Sequence, residues 1–138
     1  MSEVAERLRS SLEIIAECEA TFIRRVYEDL FEQHPKTLEL FGGHSRAVRG
    51  EMVREVLMYA IEHNEGATWV EENLASLGDQ HEVNGVTLEM YGWFVDSLLR
   101  IFAEVCGPKW CAELEGSWRT ALELVSDLMS KPEARAES

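Results

Sequence analysis

The sequence predicts an all-α protein, and three observations support that prediction. Apolar residues recur three or four positions apart along most of the 138 residues, which is the spacing of one face of a helix. Strict alternation of apolar and polar residues over the length of a strand does not occur in the sequence. Pro35, Pro108 and Pro132 each follow an apolar-periodic stretch, as expected where one helix ends or the next begins.

The first half of the chain contains two apolar stripes with a short turn between them. The first stripe indicates one long helix, or two without a marked break, before His34-Pro35; its members are Val4, Leu8, Leu12, Ile15, Phe22, Val26 and Leu30. A short helical turn then carries Leu38, Leu40 and Phe41 and ends at Gly42-Gly43. The second stripe predicts a helix from about Ala47 to His63, with inward-facing Val53, Val56, Leu57, Ala60 and Ile61.

Three further helices are predicted in the second half. Thr68 and Glu71 have the spacing of a capping box, and the helix they open has one stripe formed by Val70, Leu74, Leu77 and His81. After Asn84-Gly85, Thr87 is the expected cap of a strongly apolar helix that carries Leu88, Tyr91, Phe94, Val95, Leu98, Leu99, Phe102 and Val105. The last helix ends at Lys131-Pro132 and carries Leu114, Trp118, Ala121, Leu122, Val125 and Met129. We therefore expect one domain over residues 1–131 and a polar tail over 132–138.

Charge and composition exclude several classes of function. The formal net charge of −13 argues against binding to nucleic acid or to an anionic membrane, because both are polyanions. No apolar run is long enough for a membrane span and the first twenty residues do not resemble a signal peptide, so we expect a soluble cytoplasmic protein. The odd count of cysteines, Cys18, Cys106 and Cys111, favours a reducing compartment, with a local Cys106–Cys111 bridge as the pairing left open.

His81 is the residue most suited to carry chemistry, because it lies in the last turn of its helix on the apolar stripe. Such a histidine has two interpretations: a core residue bonded to a nearby carbonyl, which is the commoner case, or a metal ligand. His34, His44 and His63 are weaker candidates, because they precede a proline turn, lie in a glycine-rich loop and lie near a helix end.

The residues around His81 resemble the globin family over about residues 5–130. The segment Val26-Tyr27-Glu28-Asp29-Leu30-Phe31, followed by His34-Pro35 and Leu40-Phe41, is similar to the second and third helices of bacterial haemoglobins and of the globin domain of flavohaemoglobins. Leu77-Gly78, His81, Gly85-Val86, Tyr91 and later Trp118 resemble their proximal stretch and common tryptophan. The resemblance implies a single-domain bacterial haemoglobin, a globin fold of about seven to eight helices, and an iron-containing haem b cofactor.

The resemblance also implies a role for individual residues. His81 becomes the proximal iron ligand, Phe41 the aromatic that stacks on the porphyrin, and Tyr27 the distal tyrosine. Val53 is implied to close the ligand pocket, and Gly50 to let two helices cross closely. The remaining cofactor-binding residues are implied to be Leu77, Val86, Tyr91 and Phe94.

Arg49 is implied to be the distal-gate residue, since it precedes His81 by thirty-two residues, a separation similar to the family's distal and proximal positions. Histidine or glutamine is usual there, so arginine is a departure from the pattern. Either Arg49 reaches a haem propionate, which we favour, or the register is wrong by a turn and Met52 faces the ligand. On the favoured reading Arg49 gates entry from the rim and Tyr27 is the main donor to the ligand.

The implied function is reversible binding of oxygen or nitric oxide, with carbon monoxide as a further ligand, at a six-coordinate distal site. The alternatives are a nitric oxide dioxygenase or peroxidase-like enzyme that uses a separate reductase, and the gas-sensing domain of a larger receptor. Glu133 is the only candidate for the acidic residue that strengthens the proximal histidine in related enzymes, and it follows Pro132. An acidic helical interaction module without haem is the remaining alternative.

Overall fold

The computed structural model describes residues 3–130, which form seven α-helices and no strand. The helices are α1 Glu3–Ala16, α2 Glu19–Gln33, α3 Leu38–Phe41, α4 Arg46–Asn64, α5 Trp69–Val83, α6 Leu88–Cys106 and α7 Ala112–Ser130. Short 3₁₀ turns occupy Pro35–Thr37 and Gly107–Lys109. The all-α prediction is confirmed, while Glu133 and the predicted tail lie outside the described residues.

The first apolar stripe forms two helices, which is one of the two alternatives that its periodicity left open. The chain leaves the helical path at Glu17 and Cys18, where the Cys18 backbone N–H donates to the carbonyl of Ile15 at 2.9 Å. No proline or glycine marks this break. The change of direction instead lets α1 pack against α4, α6 and α7 while α2 packs against α6, so that tertiary packing decides the boundary.

The caps at the starts of α4 and α5 differ from those expected. Helix α4 begins with a side-chain cap that was not predicted, whereas α5 lacks the cap predicted at Thr68. Ser45 is extended, with ψ of 167°, and its hydroxyl accepts from the Val48 N–H at 3.2 Å. Thr68 is helical, with ψ of −26°, and makes no side-chain cap. The predicted capping box with Glu71 is therefore wrong, because a capping residue needs an extended backbone to turn its hydroxyl toward the helix.

An aromatic stack forms the centre of the core. The Phe102 ring lies 4.9 Å from the ring of Phe22 and 4.9 Å from that of Trp118. Trp118 is fully buried, and its indole N–H donates to the Ser11 hydroxyl at 2.8 Å, which in turn donates to the carbonyl of Leu8 at 2.7 Å. The polar atoms of the stack are thus satisfied, and it joins α1, α2, α6 and α7.

Among the glycines of the described residues, Gly78 in α5 leaves the least room for a Cβ. A Cβ added there would overlap the backbone of Met129 in α7, with the Met129 carbonyl carbon only 2.7 Å away. At Gly50 the three atoms nearest to an added Cβ belong to the flexible Arg54 side chain and lie at 3.4 Å or more, so the expectation of a glycine-dependent crossing there is wrong. Gly78 therefore fixes the position of α5, the helix that carries His81.

The inward faces agree with the predicted stripes at most positions. Leu88, a member of the apolar stripe predicted for α6, is instead 51% exposed. Cys18, Cys106 and Cys111 are free thiols. None of the described helices is both long and apolar enough to cross a membrane.

Candidate functional site

His81 is half-buried near the end of α5, and a hydrogen bond to the preceding helical turn orients its ring. The Nδ1 atom lies 2.8 Å from the backbone carbonyl oxygen of Leu77. Because a carbonyl only accepts, Nδ1 carries the proton, so in the neutral tautomer the lone pair lies on Nε2. This arrangement orients an imidazole for metal binding through Nε2.

The turn after His81 and the start of α6 bring Gly85, Val86 and Tyr91 near His81. The Val86 N–H donates to the His81 carbonyl at 2.9 Å, and Gly85 adopts the left-handed φ of 92° that this turn requires. The Tyr91 ring lies 6.4 Å from the His81 ring. Val86 and Tyr91 line a cavity of about 400 Å³ that reaches Gly78 and α7. Burial raises the pKa of Tyr91, with a further contribution from the Glu82 carboxylate.

A second cluster consists of four aromatic rings from α2, α3 and α6. The Tyr27 ring lies 5.2 Å from Phe41 and 6.0 Å from Phe94, and Phe31 lies 6.0 Å from Phe41. Phe41 and Phe94 are half-buried, whereas Tyr27 is 3% exposed. Phe31 was given no role by the sequence analysis, although its position one helical turn after Tyr27 predicts that the two share a face. Phe94 lies one turn after Tyr91, so α6 connects this cluster to His81.

The Tyr27 hydroxyl is already engaged within the protein. It donates to the backbone carbonyl of Arg49 at 2.9 Å, which ties α2 to the first turns of α4. Burial raises the pKa of Tyr27 above its usual range, and the nearby Arg49 cation opposes this only in part. The phenol is therefore neutral at physiological pH and its proton points to a carbonyl.

The Arg49 side chain is turned into the aromatic cluster. Its Nη2 donates to the Phe41 carbonyl at 2.9 Å, and its Cζ lies 5.6 Å from the Tyr27 ring centroid and 5.2 Å from that of Phe31. The Nε atom is buried and has no hydrogen-bond partner among the described residues. Met52, the alternative distal residue, is half-buried on the same helix.

Val53 lies in the core with 1% exposure. It lines the inner wall of a mainly apolar cavity of about 270 Å³ between α1, α2 and α4. Leu57 and Ile61 continue the same wall along α4. Val53 is thus a buried residue in the wall of this cavity rather than an exposed residue.

The described residues offer one oriented histidine and half-buried apolar side chains, and they contain no group of three or more His, Cys, Asp or Glu side chains that could hold a metal. The half-buried state of Leu77, Val86, Phe41 and Phe94 suits contact with an apolar ligand.

Comparison with known proteins gives consistent relatives. The chain is 23% identical over 135 residues to a flavohemoprotein of Halalkalibacterium halodurans, which covers 96% of this chain and 33% of that protein. It is 24% identical over 124 residues to a globin-like protein of Aquifex aeolicus, covering 90% of this chain and 87% of that one. The chain therefore spans about a third of the length of the flavohemoprotein.

Solved structures share the fold at low sequence identity. A Pseudomonas aeruginosa protein described as highly homologous in structure to a human hemoglobin has a TM-score of 0.81 at 20% identity, covering 94% of this chain and 97% of that one. The deoxy hemoglobin of Mustelus griseus has a TM-score of 0.76 at 18% identity, covering 95% and 96%. An engineered carbene transferase derived from a Rhodothermus marinus protein has a TM-score of 0.78 at 21% identity, covering 99% and 96%.

A match to one protein family covers most of the residues that the structure describes. Residues 24–129, which are most of the chain, match the family described as Globin. The match includes the segments that carry Tyr27, Arg49 and His81. This chain belongs to the globin family.

Proposed function

We propose that this globin holds one haem through His81 and binds a small gas, oxygen or nitric oxide, reversibly. The observation that carries the proposal is the 2.8 Å contact between His81 Nδ1 and the Leu77 carbonyl. It fixes the orientation of the ring, and in the neutral tautomer it leaves Nε2 available as a metal ligand.

The residues present fit a haem on two counts. Phe41, Leu77, Val86, Tyr91 and Phe94 are half-buried and supply flat or aliphatic surface for a porphyrin. Arg49 adds a buried Nε–H with no partner among residues 3–130, a donor that a haem-bearing pocket could satisfy. Held by one histidine, a ferrous haem would supply an iron centre that binds a diatomic gas.

The distal residues of this chain would control access and water. Tyr27 ties α2 to α4 through the Arg49 carbonyl, so the two helices that enclose the distal side are fixed relative to each other. Val53 contributes an apolar wall, and Arg49 closes the side next to Phe41. A largely dry pocket of this kind favours reversible binding, because it hinders oxidation of the iron.

Nitric oxide dioxygenation is the second candidate function. It is favoured by the similarity to a flavohemoprotein and to a structure derived from a Rhodothermus marinus protein proposed to be a nitric oxide dioxygenase. In that case electrons would come from a separate reductase, which is not part of residues 3–130.

The experiment is a haem titration of the purified apo-protein, followed by spectra of the ferrous form under oxygen and carbon monoxide. We expect a Soret band that saturates at one haem per chain and a ferrous spectrum that oxygen changes reversibly. Rapid oxidation under oxygen, together with nitric oxide consumption when a reductase is added, would favour the enzyme. Failure to take up haem would contradict both candidates.

A further inference from the structure

Among residues 3–130, which are rich in acids, Arg49 is a cation without a carboxylate partner. Residues 3–130 contain nine arginines, and seven of them pair with Asp or Glu, namely Arg7, Arg9, Arg24, Arg25, Arg54, Arg100 and Arg119. Of the other two, Arg46 is exposed, whereas Arg49 is half-buried. Of these two arginines, Arg49 is therefore the one whose guanidinium is partly enclosed by the protein, although the chain has a formal net charge of −13.

The surroundings of Arg49 stabilise its charge only in part. The Tyr27 and Phe31 rings lie within cation–π distance of its Cζ, an interaction that lowers the cost of burying a cation. One Nη2–H is satisfied by the Phe41 carbonyl, but the buried Nε–H is not satisfied. A guanidinium cannot lose its proton in a protein, so the remaining charge and donor call for an acceptor from outside residues 3–130.

Tyr27 provides neither a counter-ion nor a free donor. Burial holds its pKa above the usual range, so the phenol is not ionised beside Arg49. Its proton is committed to the Arg49 carbonyl at 2.9 Å. The hydrogen-bond donor and the positive charge in this part of the pocket both belong to Arg49.

We propose that Arg49, rather than Tyr27, determines which ligands the distal site prefers, and that it selects small anions such as azide, fluoride or nitrite over neutral ligands. The proposal rests on the haem function proposed above. Tyr27 then acts as a positioning residue, because its bond to the Arg49 backbone holds the first turns of α4 in place. A charged donor bonds an anion more strongly than a neutral ligand.

The same guanidinium chemistry would also accept a carboxylate of the cofactor, a haem propionate. The two anion sources differ in what depends on Arg49. Pairing with a propionate makes haem retention depend on Arg49, whereas selection of a free anion makes the ratio of anion to neutral-ligand affinity depend on it. The experiment must therefore measure both quantities.

The test uses the ferric, haem-loaded full chain and three substitutions. Arg49→Met removes the charge and all donors at similar length, and Arg49→Lys keeps the charge but removes the Nε–H. Arg54→Met is the matched control, because it makes the same change of net charge on the same helix at an exposed side chain that pairs with Glu19. Azide, fluoride and neutral imidazole are titrated by absorption, and haem transfer to an acceptor apo-globin gives the rate of haem loss.

We expect Arg49→Met to weaken azide and fluoride binding by about ten- to a hundredfold, the range for a hydrogen bond to a charged group. Imidazole affinity should change by less than about threefold, Arg49→Lys should lie between wild type and Arg49→Met, and Arg54→Met should match wild type. Equal changes for azide and imidazole, or unchanged azide affinity, would overturn the proposal. So would faster haem loss in both Arg49 variants with unchanged anion preference, which would assign Arg49 to a propionate. A wild-type chain that takes up no haem would instead refute the proposed function itself.

Discussion

Gly78→Ala tests whether the close crossing of α5 and α7 positions His81. The added Cβ would overlap the Met129 carbonyl oxygen and would lie 2.7 Å from the carbonyl carbon, whereas an ordinary contact needs at least 3.4 Å. The obstacle is backbone, so no change of rotamer relieves it. The two helices must therefore move apart.

The size of the effect follows from two opposing terms. Overpacking a tight contact typically costs about 1–3 kcal/mol, whereas replacing glycine by alanine inside a helix stabilises it by about 1 kcal/mol. Gly116→Ala in α7 is the matched control, because a Cβ there meets no atom within 4 Å. We expect the control to gain about 1 kcal/mol and Gly78→Ala to be less stable than the control by about 1–3 kcal/mol.

The assay is urea unfolding of the haem-free protein, followed by the rate of haem loss from the loaded protein. His81 lies three residues after Gly78 on the same helix face, so displacement of α5 should also speed haem loss in Gly78→Ala but not in Gly116→Ala. Equal stability and equal haem retention in the two variants would refute the reasoning.

Three other substitutions or conditions test the contacts around the site and the core. Tyr27→Phe should destabilise the fold by about 1 kcal/mol through loss of its bond to the Arg49 carbonyl, and should raise the oxygen dissociation rate by less than about threefold, not the tenfold expected of a direct donor. The free energy of unfolding should fall as pH rises above about 10, because the pKa of buried Tyr27 is higher in the folded chain than in the unfolded one; a Tyr27→Phe variant with the same pH slope would contradict this. Ser11→Ala should cost about 1–3 kcal/mol in urea unfolding by leaving the buried Trp118 N–H without its acceptor, and an unchanged midpoint would contradict that assignment.

The helices and the inward faces could be predicted because they follow from periodicity. The stripe that places Leu77 and His81 on one face is local, and so is the left-handed turn at Gly85. Local patterns also located the proline turn at Pro35–Thr37. Features that depend on contacts between distant residues were harder to predict from the sequence, and the break between α1 and α2 at Cys18 is an example.

The polar contacts of the site could not be read from the sequence, because they depend on which atoms the fold brings together. The Tyr27 hydroxyl reaches the Arg49 carbonyl across two helices, and no spacing rule distinguishes that acceptor from a ligand. The Arg49 guanidinium lies against Phe31 and Phe41 rather than extending to solvent. The sequence likewise gives no reason to distinguish Gly50 from Gly78. Only the packing of α7 against Gly78 shows which of the two glycines lies at a close helix contact.

The most direct test of the proposed haem site is the absorption spectrum of His81→Ala after haem loading, with and without imidazole. The Nε2 of His81 is proposed to make the protein's one bond to the iron, so its removal should abolish most haem binding or leave a weak, altered Soret band. Added imidazole should restore a spectrum close to that of wild type, because it replaces the missing ligand. A Soret band in His81→Ala that is unchanged from wild type without imidazole would contradict the assignment.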